Sequence, residues 1–188
     1  MKAKQTYISL AALLLTISFS VALSSYTRRA RLNYFRRLQI NQPYINPNLA
    51  IQLTYPEDWQ VEAREKGIKI KQPNLFLSRG IVVSLDIFSA DDLKEGGLTT
   101  KTDLAPILDI FNLSKDTIHS ASYSDTRLFG EPANRVYASQ EGGFTVDFVQ
   151  GSLGNQIVYF VATAPTETLM QSFLPGWEDM LESTKKLN

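Results

Sequence analysis

The side chains that could carry catalysis are few and scattered. His119 is the only histidine and cysteine is absent. A metal site built on imidazoles needs more than one ring, and a Ser-His-Asp relay would have to run through His119. That residue lies in "KDTIHSASYSD" (115–125), a polar stretch expected to be an exposed loop. Asp91, Asp92 and Glu95 could hold a calcium ion loosely, but they lack the regular spacing of a dedicated loop, so a solvated acidic loop is the simpler expectation. "GSLGN" (151–155) has neither the lysine nor the spacing of a phosphate loop and reads as a hairpin turn. Paired carboxylates for acid–base work need tertiary proximity, and no spacing marks such a pair. Without cysteine there is no disulfide, thiol nucleophile, thiolate zinc site or cysteine-linked lipid. The expectation is a protein that is not an enzyme, with no catalytic, cofactor-binding or metal-binding residues to assign.

Charge is segregated along the chain. Residues 1–43 carry Lys2, Lys4, Arg28, Arg29, Arg31, Arg36 and Arg37 and no acid, whereas the remainder holds 12 basic and 19 acidic residues. The zero net charge thus divides into +7 and −7. A domain at −7 has no net attraction for phosphate backbones, so nucleic acid is not an expected partner.

From Tyr7 to Tyr26 the chain reads "YISLAALLLTISFSVALSSY", without a charge. As a helix it would span roughly 30 Å, the thickness of a bilayer core. Two readings follow. A cleavable signal peptide would be cut near Ser24-Ser25, after the small residues Ala22 and Ser24. An uncleaved single-pass anchor instead keeps the five arginines of "RRARLNYFRR" (28–37) next to the bilayer, where they resist translocation and can hold anionic headgroups. The anchor is favoured, with the lipid bilayer as partner. The arginine flank taken literally leaves the C-terminal domain on the cytoplasmic side.

The elements behind these residues follow from pattern. "NQPYINPNL" (41–49) reads as a linker, so the expected organisation is 1–27 membrane segment, 28–47 basic juxtamembrane segment and linker, and 48–188 folded domain. "LAIQLTY" (49–55) alternates as a strand until Pro56, which cannot donate to a ladder. Glu57-Asp58 suit a turn that delivers Trp59 to the core, and "WQVEA" and "GIKIK" continue as extended chain. "GIVVSLDIFS" (80–89) is a strand, "DLKEGGLTTKT" (92–102) a polar loop, and "TDLAPILDIFNL" (102–113) an amphipathic helix. "ANRVYASQ" and "FTVDFVQ" form a hairpin around Gly142-Gly143. "QIVYFVATA" (156–164) is apolar almost throughout, as a strand covered on both faces would be. The final segment, 166–187, is a helix with Leu169, Met170, Phe173, Trp177, Leu181 and Thr184 inward, a break or kink at Pro175, and Glu178, Asp179 and Glu182 facing water. The fold class is α+β, a mostly antiparallel sheet flanked by helices, after one transmembrane helix.

The order of these parts resembles the PsbP-like family, named for an extrinsic subunit of photosystem II and including bacterial DcrB-like proteins. The resemblance rests on Tyr55, Pro56 and Trp59 after the first strand, on Gly130, Pro132 and Ala133 before a later one, and on "YFVATAP" (159–165). Phe173, Pro175, Trp177, Met180, Leu181 and Ser183 of the last helix complete it, and the likeness covers about residues 48–187. It implies an α/β/α sandwich that is generally non-enzymatic and that binds or helps assemble membrane protein complexes on the lumenal or periplasmic side. Bacterial photosynthetic members are often held by a lipidated cysteine, which an apolar helix would replace here. The expected function is a membrane-anchored interaction module for a membrane complex such as photosystem II in the thylakoid. The alternative is a binder of a small apolar molecule or lipid in a cleft between sheet and helix. Phe88, Phe129 and Tyr137, if exposed together, would form a docking face.

Overall fold

The computed structural model describes residues 24–27, 29–30, 32–73, 80–95, 118–140 and 143–187. The chain divides into two compact units, Met1–Arg37 and Leu38–Asn188. In the first, residues 24–27, 29–30 and 32–36 are helical, and the rings of Tyr34 and Phe35 meet edge to face at 5.1 Å. The expected membrane segment lies almost wholly outside the described residues, as do Arg28 and Arg31. Among the described residues no helix is long and apolar enough to cross a membrane.

The second unit holds two sheets. The smaller has the order β1 (Ile40–Asn46), β2 (Ile51–Pro56) and β10 (Lys185–Lys186), with β2 central. The larger runs β3 (Gln60–Arg64), β4 (Gly67–Lys71), β5 (Val82–Phe88), β9 (Gln156–Ala164), β8 (Thr145–Leu153), β7 (Glu131–Gln140) and β6 (Ile118–Leu128). Every pairing is antiparallel. Two helices are described here, a short one over Ala90–Glu95 and a long C-terminal one over Glu167–Ser183.

Three expectations change. Residues 40–46 are no linker but strand β1, because Tyr44, Ile45 and Asn46 find ladder partners in Leu53, Gln52 and Ile51. His119 is not in a loop but inside β6, an edge strand exposed on both faces over residues 121–125, as the polar run "SASYSD" suits. The C-terminal helix runs unbroken through Pro175 and stops at Ser183. Thr184 caps it, and Lys185 and Lys186 pair with β2. The expected helix over 102–113 lies outside the described residues.

The helix begins where its sequence says it should. Thr166 has extended backbone, and its hydroxyl accepts from the Leu169 N–H at 3.3 Å, satisfying one of the free donors of the first turn. Its apolar stripe is seated between the sheets. Trp177 lies 4.6 Å from Phe160 of the large sheet. On the small-sheet side the Thr54 N–H donates to Ser183 Oγ at 2.9 Å. A Cβ added at Gly176 would be in ordinary contact with side-chain atoms of Ile40 and Leu38 at 3.4 Å and tight against Phe173 at 3.2 Å.

"YPEDW" resolves as a turn and a plug. The Trp59 N–H donates to the Pro56 carbonyl at 3.0 Å, closing the turn over Glu57-Asp58. The indole, 4% exposed, stacks on Phe173 at 5.1 Å with 25° between the planes. Truncation of a buried aromatic removes both its transfer term and its contacts. Trp59→Ala is therefore expected to lower stability by about 3–5 kcal/mol in urea unfolding. A loss below about 1 kcal/mol would show that the stack contributes little beyond filling surface.

Candidate functional site

The large sheet offers two faces of different chemistry. Antiparallel register places Tyr137 opposite Asp147 and Arg135 opposite Val149, so Arg135 and Asp147 are diagonal neighbours on the face beneath the C-terminal helix. The Asp147 carboxylate has no solvent exposure. Arg135 grips it with two bonds, Nε to Oδ1 at 2.8 Å and Nη2 to Oδ2 at 2.6 Å, and reaches Glu178 Oε1 on the helix through Nη1 at 2.6 Å. Glu178 pairs with Arg135 while its side chain stays 45% exposed, at the wet end of the clamp. Burial pushes the Asp147 carboxyl up, and the Arg135 guanidinium works against that rise. Burial alone would lower Arg135; the hydrogen bond and charge of Asp147, then those of Glu178, raise it instead.

Polar groups around this clamp are unevenly matched. The Gln171 amide donates to the Tyr137 hydroxyl at 3.0 Å. Burial pushes the Tyr137 phenol up, and the Gln171 bond partly offsets it. Among the described residues two buried polar atoms, Thr145 Oγ1 and Trp177 Nε1, complete no hydrogen bond. The Trp177 indole nonetheless lies near enough to Asp147 to favour its ionised form slightly. The face is closed by apolar packing, so the expected sheet–helix cleft is filled by Phe173, Trp177 and Met170, each with no exposure.

The opposite face is different. Phe148, Tyr159 and Val161 lie in one apolar cluster with Val136, Val146 and Leu93, bordered by the half-buried Phe88, Phe144 and Ile157. Phe88 and Phe148 meet Tyr159 with ring centroids 5.2 and 4.9 Å away. Beside them runs a groove of about 370 Å³ whose polar wall is Arg64, Lys69, Ser84 and Asp86. A second hollow of about 460 Å³ shares Val82, Phe144 and Thr163 with it and extends to Gln72 and Pro165. Arg64 Nη1 stands 3.6 Å from Asp86 Oδ1. Burial pushes the Asp86 carboxyl up while Arg64 pulls it down. Gly67 makes room for this arrangement, since a Cβ there would collide with the Leu85 carbonyl oxygen and fall 2.7 Å from Asp86 Oδ1.

The residues expected from sequence are dispersed. Phe88 belongs to the groove face, Tyr137 to the helix face, and Phe129 to the β6–β7 turn, so the three do not make one docking surface. Phe129 and Gly130 both have positive φ, 58° and 79°, the two-residue hairpin geometry that glycine enters freely and a bulky residue rarely does. Pro56, Trp59 and Trp177 are buried, Tyr55 is half-buried, and Gly130 and Pro132 are exposed in and after the turn. Arg29, Arg36 and Arg37 are exposed.

Of the acids considered for calcium, Asp92 is committed elsewhere. Its Oδ2 accepts from the Ser89 N–H and hydroxyl, both at 2.8 Å, while the Asp92 N–H donates back to Ser89 Oγ at 3.1 Å. This reciprocal pair caps the helix over Ala90–Glu95, and Lys66 Nζ binds Oδ1 at 2.7 Å. The S-x-x-D spacing was the available signal for it. The Arg135–Asp147–Glu178 clamp also had one, an aspartate inside the mostly apolar "FTVDFV" with an arginine on the other arm of the hairpin.

Comparison with known proteins adds a fold. No protein-family model matches the chain, and no curated protein matches its sequence. Cyanobacterial PsbP (CyanoP) of Synechocystis sp. PCC 6803 superimposes with a TM-score of 0.50 at 11% identity, over 77% of this chain and 91% of that one. A protein of Bacteroides thetaiotaomicron matches 80% of this chain at 14% identity and a TM-score of 0.47, and this chain spans half of its length. LpqN of Mycobacterium tuberculosis, described as involved in cell envelope biogenesis, matches 73% of this chain and 83% of its own at 22% identity and a TM-score of 0.44. The PsbP likeness is one of fold.

Two predictions follow from the charges. Arg135→Met strands a buried carboxylate and is expected to cost about 3–5 kcal/mol, whereas adding Asp147→Leu restores most of it, because an apolar pair replaces a buried ion pair almost neutrally. Urea unfolding of the two variants checks this, and a single variant as stable as the double one overturns it. The Lys66 hydrogen bond, followed by those from Ser89, holds the Asp92 carboxyl down to about 2. Because its folded pKa lies below the unfolded one, its contribution is complete above about pH 4 and disappears as pH falls through about 2. The stability difference between the native chain and Asp92→Asn should shrink over that window; a difference independent of pH would contradict the cap.

Proposed function

We propose that this chain is a membrane-tethered, non-enzymatic interaction module that assists assembly or stability of a membrane protein complex. The observation that carries the reading is the PsbP fold, matched along 91% of the cyanobacterial protein. Photosystem II is the complex that this likeness brings forward. The uncharged stretch from Tyr7 to Tyr26 supports a tether, with the arginines that follow it against the headgroups. The fold likeness favours the lumenal or periplasmic side for the domain, and the arginine flank favours the cytoplasmic side; we take the former.

The state of the acids supports a non-catalytic reading. Catalytic carboxyls need a perturbed pKa together with access to a substrate. Asp147 is buried under a helix and held by Arg135, and Asp92 is occupied by a helix cap. A second reading, a binder of a small molecule, is favoured by the groove on the other face of the sheet, away from the cleft expected from sequence.

Crosslinking of the tagged full-length chain in its own membranes, followed by mass spectrometry and protease protection, tests the first reading. Subunits of one membrane complex are expected, with the domain protected inside a lumen or periplasm. Recovery of no protein partner, with the domain digested from the cytoplasmic side, would overturn it.

A further inference from the structure

The two edges of the large sheet are built differently. β3 has five residues, and its Glu62 is paired with Lys71 at 2.7 Å, a short and charged edge. β6 has eleven residues, Ile118–Leu128, without proline or lysine, and its irregularity lies at the start, between Ile118 and Ser120. Ala121 to Asp125 are exposed, and no described strand lies beyond them. An edge of this length is a template for another strand.

The hairpin turn sets which backbone groups point outward. Leu128 and Glu131 flank the two-residue turn Phe129-Gly130 and so exchange hydrogen bonds with each other. Alternation then directs the N–H and C=O of Thr126 and Ser124 toward β7, and those of Arg127, Asp125 and Tyr123 away from it. Pro132, which has no N–H, accordingly lies opposite Arg127. Asp125 and Arg127 are exposed, lie two residues apart on one face, and make no ion pair with a described residue. Arg127 lends Nη1 to the Gly130 carbonyl at 3.1 Å and keeps its other donors.

This pattern is complementary to itself. In a second copy turned antiparallel about Thr126, Asp125 faces the other Arg127 twice, about four backbone hydrogen bonds form, and the two Thr126 side chains meet on the dyad. Centring the pairing on Asp125 instead opposes two carboxylates, and centring it on Ser124 sets the charges opposite Tyr123 and Ala121. We propose that the chain self-associates through β6, two copies joining edge to edge across a two-fold axis at Thr126 into one continuous sheet. The inference goes beyond the interaction-module reading and uses neither the groove nor the helix face.

The test is disulfide crosslinking of the full-length chain in liposomes, oxidised with copper phenanthroline and read on a non-reducing gel. The chain has no cysteine, so an introduced thiol can bond only to its own copy. Thr126→Cys places the thiols on the dyad, where opposed Cα atoms are about 4.5 Å apart and a disulfide closes. Ser124→Cys, on the same face, separates them by roughly 14 Å, beyond its reach. Thr126→Cys is expected to give about tenfold more dimer than Ser124→Cys. Added to Thr126→Cys, Asp125→Arg and Arg127→Asp should each cut the yield several-fold and together restore it, because opposed like charges repel and the exchanged pair attracts again. Restoration by the double exchange separates repulsion from misfolding. Equal yields at 124 and 126 would mean random collision and overturn the proposal. So would a double exchange that restores nothing, or no dimer at all, as when another protein takes the edge. Crosslinks to other subunits are different products, so failure of this proposal and failure of the partner reading are told apart.

Discussion

A strand without a solvent face has to be covered twice, and β9 imposes that condition on this domain. Val158, Tyr159, Phe160, Val161 and Ala162 are all buried, so alternation sends apolar side chains to both sides of the sheet. On one side Phe160 meets Trp177, which fixes where the C-terminal helix must lie. The helix then brings Phe173 to Trp59 and Ser183 to Thr54, tying the turn after β2 and the small sheet to the large one. On the other side Tyr159 and Val161 gather Phe148, Phe88 and Leu93. The two faces thus share a strand and have different consequences.

Charge specifies what apolar packing leaves open. A greasy helix on a greasy sheet can slide, since apolar contact has no direction. The Arg135 clamp, with two bonds to a buried Asp147 and one to Glu178, is directional and has a partner on each element. Buried ion pairs add little net stability, so this one is better understood as setting the position of the helix. The unpaired Trp177 indole and Thr145 hydroxyl nearby are the remaining polar cost of seating it.

The two sides also divide the functional argument. The helix face is closed and held by its own charges, which supports reading it as scaffold. The groove face combines an aromatic floor with a polar wall of Arg64, Lys69, Ser84 and Asp86.

Much of the fold was legible in local pattern. The uniform apolarity of "QIVYFVATA" called for cover on both faces, the inward stripe of the last helix for the element beneath it, and Pro56 with Trp59 for a strand end and plug. These are short-range signals, set by periodicity of 2 or 3.6 residues and by the missing N–H of proline. What tertiary structure decided involved partners far apart in the chain. Residues 40–46 became β1 because β2 offered a ladder, and "IHSASYSD" became an edge strand because β7 did. Glu178 turned to Arg135, and Phe88 and Tyr137 were sent to opposite faces by register, in which one residue reverses direction. The groove followed the same rule, since Lys69 and Tyr159 share it only because β4, β5 and β9 pair in this order. Composition alone determined the segregated charge, the lack of thiol chemistry and the lone histidine, since these need no neighbours to be true.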